Sequence, residues 1–357
     1  MDIDLVNRQE AVSEKLQKFR REGGILLAIE TSCDETAAAV LNAPRGLLGA
    51  SVHTQIPLHR QFGGVVPELA SRSHVERLGP VVRDALLKAG VTFDELDAVA
   101  VTYGPGLVGA LLTGVSYAKG IALSKGLPLI GVNHIEGHIA ANYLSYSELE
   151  PPFVCLIASG GHSHIVLVED YGCFSLMGKT RDDAAGEAFD KVARALGLSY
   201  PGGPALEKLA LEGNPNAYAF HSSLNEGEGF DFSFSGIKTA VVNLLHNAQQ
   251  KGEPLLFADI AASFQRAVVN ALAEKSVRAA LACGQKKLAL AGGVSANRAL
   301  RDTMAARASK DGISFYCPEF RFCTDNAAMI GCAGYYALLR GETSPLSLNA
   351  VPALALK

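Results

Sequence analysis

One supersecondary plan occurs twice in this chain, and it limits the possible folds more than any other feature. Residues 25–40 (ILLAIETSCDETAAAV) read as an apolar strand, a polar turn and a second apolar strand. Residues 153–168 (FVCLIASGGHSHIVLV) repeat that plan. Both are hairpins with small, hydrogen-bonding tips. A second pair follows in the same order. The strand at 96–101 ends in Gly104-Pro105-Gly106, and the strand at 287–291 ends in Gly292-Gly293; each then enters a helix. Strand, glycine turn, helix is a geometry that binds phosphate through free N–H groups at the helix start, and it is also a common way to turn a chain. Hairpin then glycine turn, twice, implies two similar α/β lobes around a cleft.

The boundaries follow from that repeat. Residues 25–150 form lobe I and 151–326 form lobe II, with a helix near 327–340 packing back on lobe I. Lobe II carries an insertion at about 171–285 that is largely helical in pattern, with amphipathic runs at 183–198, 237–250 and 257–283. Residues 1–24 hold five acidic and five basic side chains, unlike a transit peptide, and read as a solvated helical extension.

Composition excludes several classes. With 48% hydrophobic and 19% charged residues the chain is globular, not disordered. A net charge of −4 does not call for nucleic acid, so an RNA partner would need a local basic patch. Seven scattered cysteines without a CxxC pair suit a reducing, cytoplasmic setting. The uncharged run at 98–118 is cut by Gly104-Pro105-Gly106, which makes it a buried α/β unit and not a membrane span.

Chemistry concentrates at residues 133–138 (NHIEGH), where a strand passes into a helix. His134 and His138, four apart, share one helix face and can reach one metal ion, or simply face water. Asp325, ahead of the apolar helix starting at 327, is either a helix-start residue or a hard oxygen ligand beside them. Glu136 lies two residues from each histidine. At about 100° per residue it points roughly 160–200° away from both, unlike the glutamate of an HExxH protease.

Other candidates are weaker. Thr31, Ser32, Asp34 and Glu35 at the first tip can contact a nucleotide or a metal-bound water, or act as turn residues. Ser159-Gly160-Gly161 at the second tip lets a ligand oxygen approach the backbone. Asp190, beside Lys191, can bind ribose hydroxyls or form a surface ion pair. Asn297 can bind phosphate or shape a helix start, and His162 and His164 share a strand face.

Together these segments resemble the TsaD family of threonylcarbamoyl transferases. The matching stretches include AIETSCDET (28–36), GGVVPELASRSH (63–74), GPGLVGALLTG (104–114), NHIEGHIAA (133–141), SGGHS (159–163), GEAFDKVARALGL (186–198), YPGGP (200–204), FSFSGIKTAV (232–241), AGGVSANRALR (291–301) and CTDNAAMIG (323–331). Residues 1–24 lie outside the resemblance. It implies an actin-like ATPase (ASKHA) fold of two duplicated lobes. It implies that His134, His138 and Asp325 bind one divalent metal, iron in preference to zinc. It implies that Ile157, Ala158, Ser159, Gly160, Gly161, Asp190, Gly203 and Asn297 bind the adenylate substrate, threonylcarbamoyl-AMP. The acceptor would be N6 of the adenosine 3′ of the anticodon in tRNAs reading A-starting codons, with TsaB-like and TsaE-like helper proteins. Asp34 and Glu35 are the candidate catalytic carboxylates. A metallopeptidase, or an ATPase acting as a binding module, are the competing readings.

Overall fold

The computed structural model describes residues 3–356, with backbone alone at 3–9 and 223. The chain divides into two units. One runs to Leu58, resumes over Val65–Leu149 and takes up the chain again from Asp325; the other holds His59–Gly64 and Glu150–Thr324.

The first unit contains α1 (Ile3–Glu22), β1 (Leu26–Glu30), β2 (Glu35–Ala43), β3 (Gly46–Thr54), α2 (Ile56–Arg60), α3 (Pro67–Ala89), β4 (Ala98–Gly104), α4 (Val108–Lys125), β5 (Leu129–Asn133) and α5 (His134–Ser145). Its sheet has the order β3-β2-β1-β4-β5. β1 pairs antiparallel with β2 (Ile29 opposite Ala38) and parallel with β4 (Ala28 opposite Ala100). All five β1 residues are buried because both faces of the sheet are covered, which is why the strand reads as a continuous apolar run. Leu27, Ile29, Val99 and Val101 pack on Leu78 and Val82 of α3 and Val115 of α4. Each such side chain contributes about 1.5–3 kcal/mol by leaving water.

The second unit contains β6 (Phe153–Ala158), β7 (Ser163–Asp170), β8 (Cys173–Lys179), α6 (Ala185–Ala195), α7 (Gly202–Ala210), α8 (Ser223–Glu226), α9 (Ser235–Lys251), α10 (Phe257–Ala282), β9 (Lys287–Ala291), α11 (Arg298–Lys310) and β10 (Ser314–Tyr316). Its sheet order is β10-β9-β6-β7-β8, the same plan as the first sheet. The last helix, α12 (Ala327–Leu339), belongs to the first unit.

Four expectations change. Each repeat opens with three antiparallel strands, not a two-stranded hairpin. The third strand of the second repeat, β8, lies inside the stretch expected to be helical; it is an edge strand, mostly exposed, so its sequence carries no clean alternation. Residues 10–22 are not merely solvated. Phe19 is fully buried with its ring 4.6 Å from that of Tyr335, Arg20 donates to the Leu339 carbonyl, and Lys15 Nζ donates to Lys125 O at the C-terminus of α4. Finally, the chain rejoins the first unit at Asp325, whereas the sequence reading carried lobe II through residue 326.

Candidate active site

The first unit presents a convergent donor set. Asn133 ends β5 and caps α5, its Oδ1 accepting from Ile135 N at 2.8 Å. This starts the helix at His134 and puts both histidines on one face. Asn326 does the same for α12, accepting from Met329 N at 2.9 Å. Because Asn326 takes the capping role, the neighbouring Asp325 turns to the histidines: its Oδ1 lies 3.4 Å from Nε2 of His134 and 3.4 Å from Nε2 of His138. The three ligand atoms all lie within 4.8 Å of one another, and among the described residues this is the one such group of potential metal ligands. Two imidazole nitrogens and one carboxylate oxygen around a common point fit a divalent transition metal with open positions.

Small residues bring α12 close enough. A Cβ on Gly331 would lie 2.2 Å from Leu41 Cδ1, and one on Gly137 would lie 2.6 Å from Ile330 Cδ1. Gly137, between the two histidines, therefore serves the packing of α12 on α5. Glu136 feels the charges of Arg340 and Glu342 instead of those of the histidines; burial first, then Glu342, pushes its carboxyl up to about 7 against the pull of Arg340. The geometry that separates this motif from a protease motif is thus present in the fold.

Electrostatics tie the centre together. Burial alone would raise Asp325, but His134 and then His138 outweigh it and hold the carboxyl well below the usual range. Burial lowers His134, yet Asp325 and Glu30 outweigh it and raise the imidazole well above its ordinary value. His138 stays below its ordinary value because burial prevails. Its Nδ1 is buried and lacks a hydrogen-bond partner.

Glu30 is the residue that sequence reasoning passed over. It ends β1, is fully buried, and its Oε2 lies 3.1 Å from His134 Nδ1. The one signal in the sequence was a carboxylate terminating a wholly apolar strand. Ser32, a candidate contact for a nucleotide or a metal-bound water, or a turn residue, places its Oγ 3.1 Å from the same Nδ1. Cys33 and Glu35 sit near enough to feel the Asp325 charge, and both also feel Asp34. Burial, followed by Asp34 and Asp325, raises Glu35 to about 7 despite a hydrogen bond from Thr54.

The first glycine turn does not offer open N–H groups: Gly106 N donates to Pro352 O and Leu107 N to Ser32 O. In the second unit the expected adenylate residues gather. Ile157 and Ala158 are fully buried, so only their backbone can serve a ligand. Gly160 and Gly161 are exposed, with open space where a Cβ would stand. Gly186 packs against Ser159 O and Gly292, at φ 87°, against Ala158 O, both too close for a side chain. Asp190 Oδ1 accepts from Gly202 N and Gly203 N, securing the start of α7. Asn297 Oδ1 caps α11 through Leu300 N, while its amide donates to Gln265. His162 and His164 lie with ring centroids 5.4 Å apart.

The sheet plan and the donor set define a protein of the actin-like ATPase fold carrying a two-histidine, one-carboxylate centre. The chain is similar in fold to component A of (R)-2-hydroxyglutaryl-CoA dehydratase from Acidaminococcus fermentans (TM-score 0.53, 14% identity, 88% of this chain and 98% of that one). It is likewise similar to HypF from T. kodakarensis (TM-score 0.59, 16% identity, 89% of this chain and 47% of that one). Residues 46–332 match the TsaD family, tRNA N6-adenosine threonylcarbamoyltransferase. Proteins of that description from Clostridium perfringens (56% identical over 332 residues, 93% of this chain and 98% of theirs) and Clostridium botulinum (54% over 331 residues, 93% and 97%) are similar along almost their whole length. The chain belongs to the TsaD family. It is a transferase acting on tRNA, and the metallopeptidase reading finds no support.

Proposed function

We propose that this protein moves the threonylcarbamoyl group of threonylcarbamoyl-AMP to N6 of the adenosine 3′ of the anticodon in tRNAs reading A-starting codons. The observation that carries the reading is the convergence of His134 and His138 on one oxygen of Asp325 in a chain of this family. We propose that these residues hold iron, with zinc as the alternative. When bound, the ion supplies a Lewis acid or template for the carbonyl of the mixed carbamoyl–phosphate anhydride.

The chain's own residues do the rest. The 157–161 tip, Asp190, Gly203 and Asn297 bind the adenylate, with backbone N–H groups of the tip and glycine turn holding the phosphate as it departs. Glu35, raised towards neutrality, is better suited than an ordinary carboxylate to take the proton that the adenine amine releases on attack, with Asp34 beside it. The expected helpers are a TsaB-like and a TsaE-like protein, and the expected setting is the cytoplasm. No helix among the described residues is long and apolar enough to cross a membrane.

The test is mass spectrometry of nucleosides from tRNA incubated with this protein, its helpers and threonylcarbamoyl-AMP. Threonylcarbamoyladenosine at the position 3′ of the anticodon is the expected product. Its absence with well-folded, metal-loaded protein would sink the proposal.

A further inference from the structure

His134 and His138 differ in what stands behind them. Nδ1 of His138 is buried without a hydrogen-bond partner, whereas Nδ1 of His134 meets Glu30 Oε2 and Ser32 Oγ, each at 3.1 Å. A hydroxyl can donate or accept, so Ser32 alone would allow either tautomer of the ring. A carboxylate can only accept. Opposite Glu30, therefore, the ring in its neutral, ligating form carries its proton on Nδ1 and leaves the lone pair of Nε2, on the side of Asp325 and His138, free for an ion.

The carboxylate is itself held. It is fully buried at the end of β1, Ser32 N donates to its Oε1, and the Thr102 hydroxyl from the adjacent β4 donates to its Oε2. A buried charge is retained only where such partners compensate it. Charge counting points the same way. Asp325 and Glu30 bring two negative charges, which balance a divalent ion when both imidazoles are neutral. Without Glu30 the loaded centre would hold one negative charge fewer beside a divalent ion in a buried place, which is disfavoured.

We propose that Glu30 is the positioning residue of this metal centre, selecting the metal-binding tautomer of His134 and supplying a second negative charge beside the divalent ion. The inference rests on the reading of His134, His138 and Asp325 as metal ligands. Carboxylates that orient a ligating histidine typically change metal affinity by about 10- to 100-fold when removed.

The experiment uses the full chain and cobalt(II) as the probe. Affinity is measured by chelator competition, and the ring N–H protons of the ligating histidines are followed as hyperfine-shifted resonances in the proton spectrum. Glu30→Gln keeps the shape but loses the charge and the strict acceptor. It should weaken cobalt binding by about 10- to 100-fold and move one of the two shifted N–H signals while leaving the other. Thr102→Val keeps Glu30 but removes one of its supports, and should give a smaller loss with the same signal affected; it carries the test if Glu30→Gln does not fold. Affinity within twofold of wild type and both signals unmoved, in either folded variant, would overturn the role of Glu30 alone. A wild-type chain that does not bind cobalt, or binding that survives loss of both His134 and Asp325, overturns the metal centre itself and this inference with it.

Discussion

Gly137 faces Ile330 so closely that a Cβ on residue 137 would stand 2.6 Å from Ile330 Cδ1, with Met329 Cγ at 3.3 Å. That contact sets the approach of α12 to α5, and with it the position of Asp325 relative to the histidines that flank Gly137. Overpacking costs about 1–3 kcal/mol, and Ala gains about 1 kcal/mol over Gly in helix propensity. Gly137→Ala should therefore leave global stability nearly unchanged or slightly reduced. Metal affinity should fall several-fold, because α12 moves outward, and Gly137→Val should lower it further. Thermal melts alongside metal titrations check this; unchanged affinity in the Val variant would refute the packing argument.

His134→Ala and Asp325→Ala each remove a converging ligand. Both should abolish tight metal binding and lower transfer on the order of a thousandfold, since Lewis-acid assistance contributes several kcal/mol. Adenylate binding should persist, because the residues proposed for it lie in the other unit. Calorimetry with a non-reactive adenylate separates the two effects.

Asn326 caps α12 and so releases Asp325 for the site. Asn326→Ala should cost about 1 kcal/mol of stability and weaken metal binding several-fold, whereas Asn326→Asp keeps the cap and most of the affinity. Denaturant melts and metal titration of the two variants give the comparison.

The Glu35 carboxyl is raised from 4.5 to about 7, mainly by burial. A raised carboxyl favours the fold in its neutral form. Its contribution is complete below the unfolded value of 4.5 and is lost as pH rises through about 7. Glu35→Gln should flatten that loss in thermal melts taken from pH 5 to 8. If Glu35 accepts the proton, transfer by the wild type should rise through the same range, and the variant should lack that limb.

Phe19 is buried against Tyr335, although it lies in the extension. Phe19→Ala in a core would cost about 3–5 kcal/mol. Should α1 detach as a unit, the loss would be capped at its docking energy. The expected result is rapid proteolysis near Lys15 and Lys18 with metal affinity unchanged. Loss of metal binding would instead tie α1 to the site through α12.

Local patterns were legible in the sequence because they depend on residues close in the chain. The spacing of His134 and His138, the apolar runs of β1 and β6, and the helices at 257–282 and 327–339 follow from 3.6-residue and strand periodicities. The repeat was legible because each copy is such a local unit. β3 and β8 were not, since these edge strands lack the continuously buried face that imprints a clean apolar pattern.

The site's completion was decided by tertiary structure. Which of Asp325 and Asn326 caps α12, and which meets the histidines, follows from how α12 packs, not from the dipeptide. Glu30 reaches His134 because β1 lies next to β4 and β4 next to β5 in the sheet, an order set by long-range pairing. Sequence spacing alone put two histidines on one face of a helix. Strand order and close helix packing, which bury distant carboxylates against them, determined what holds the pair in place.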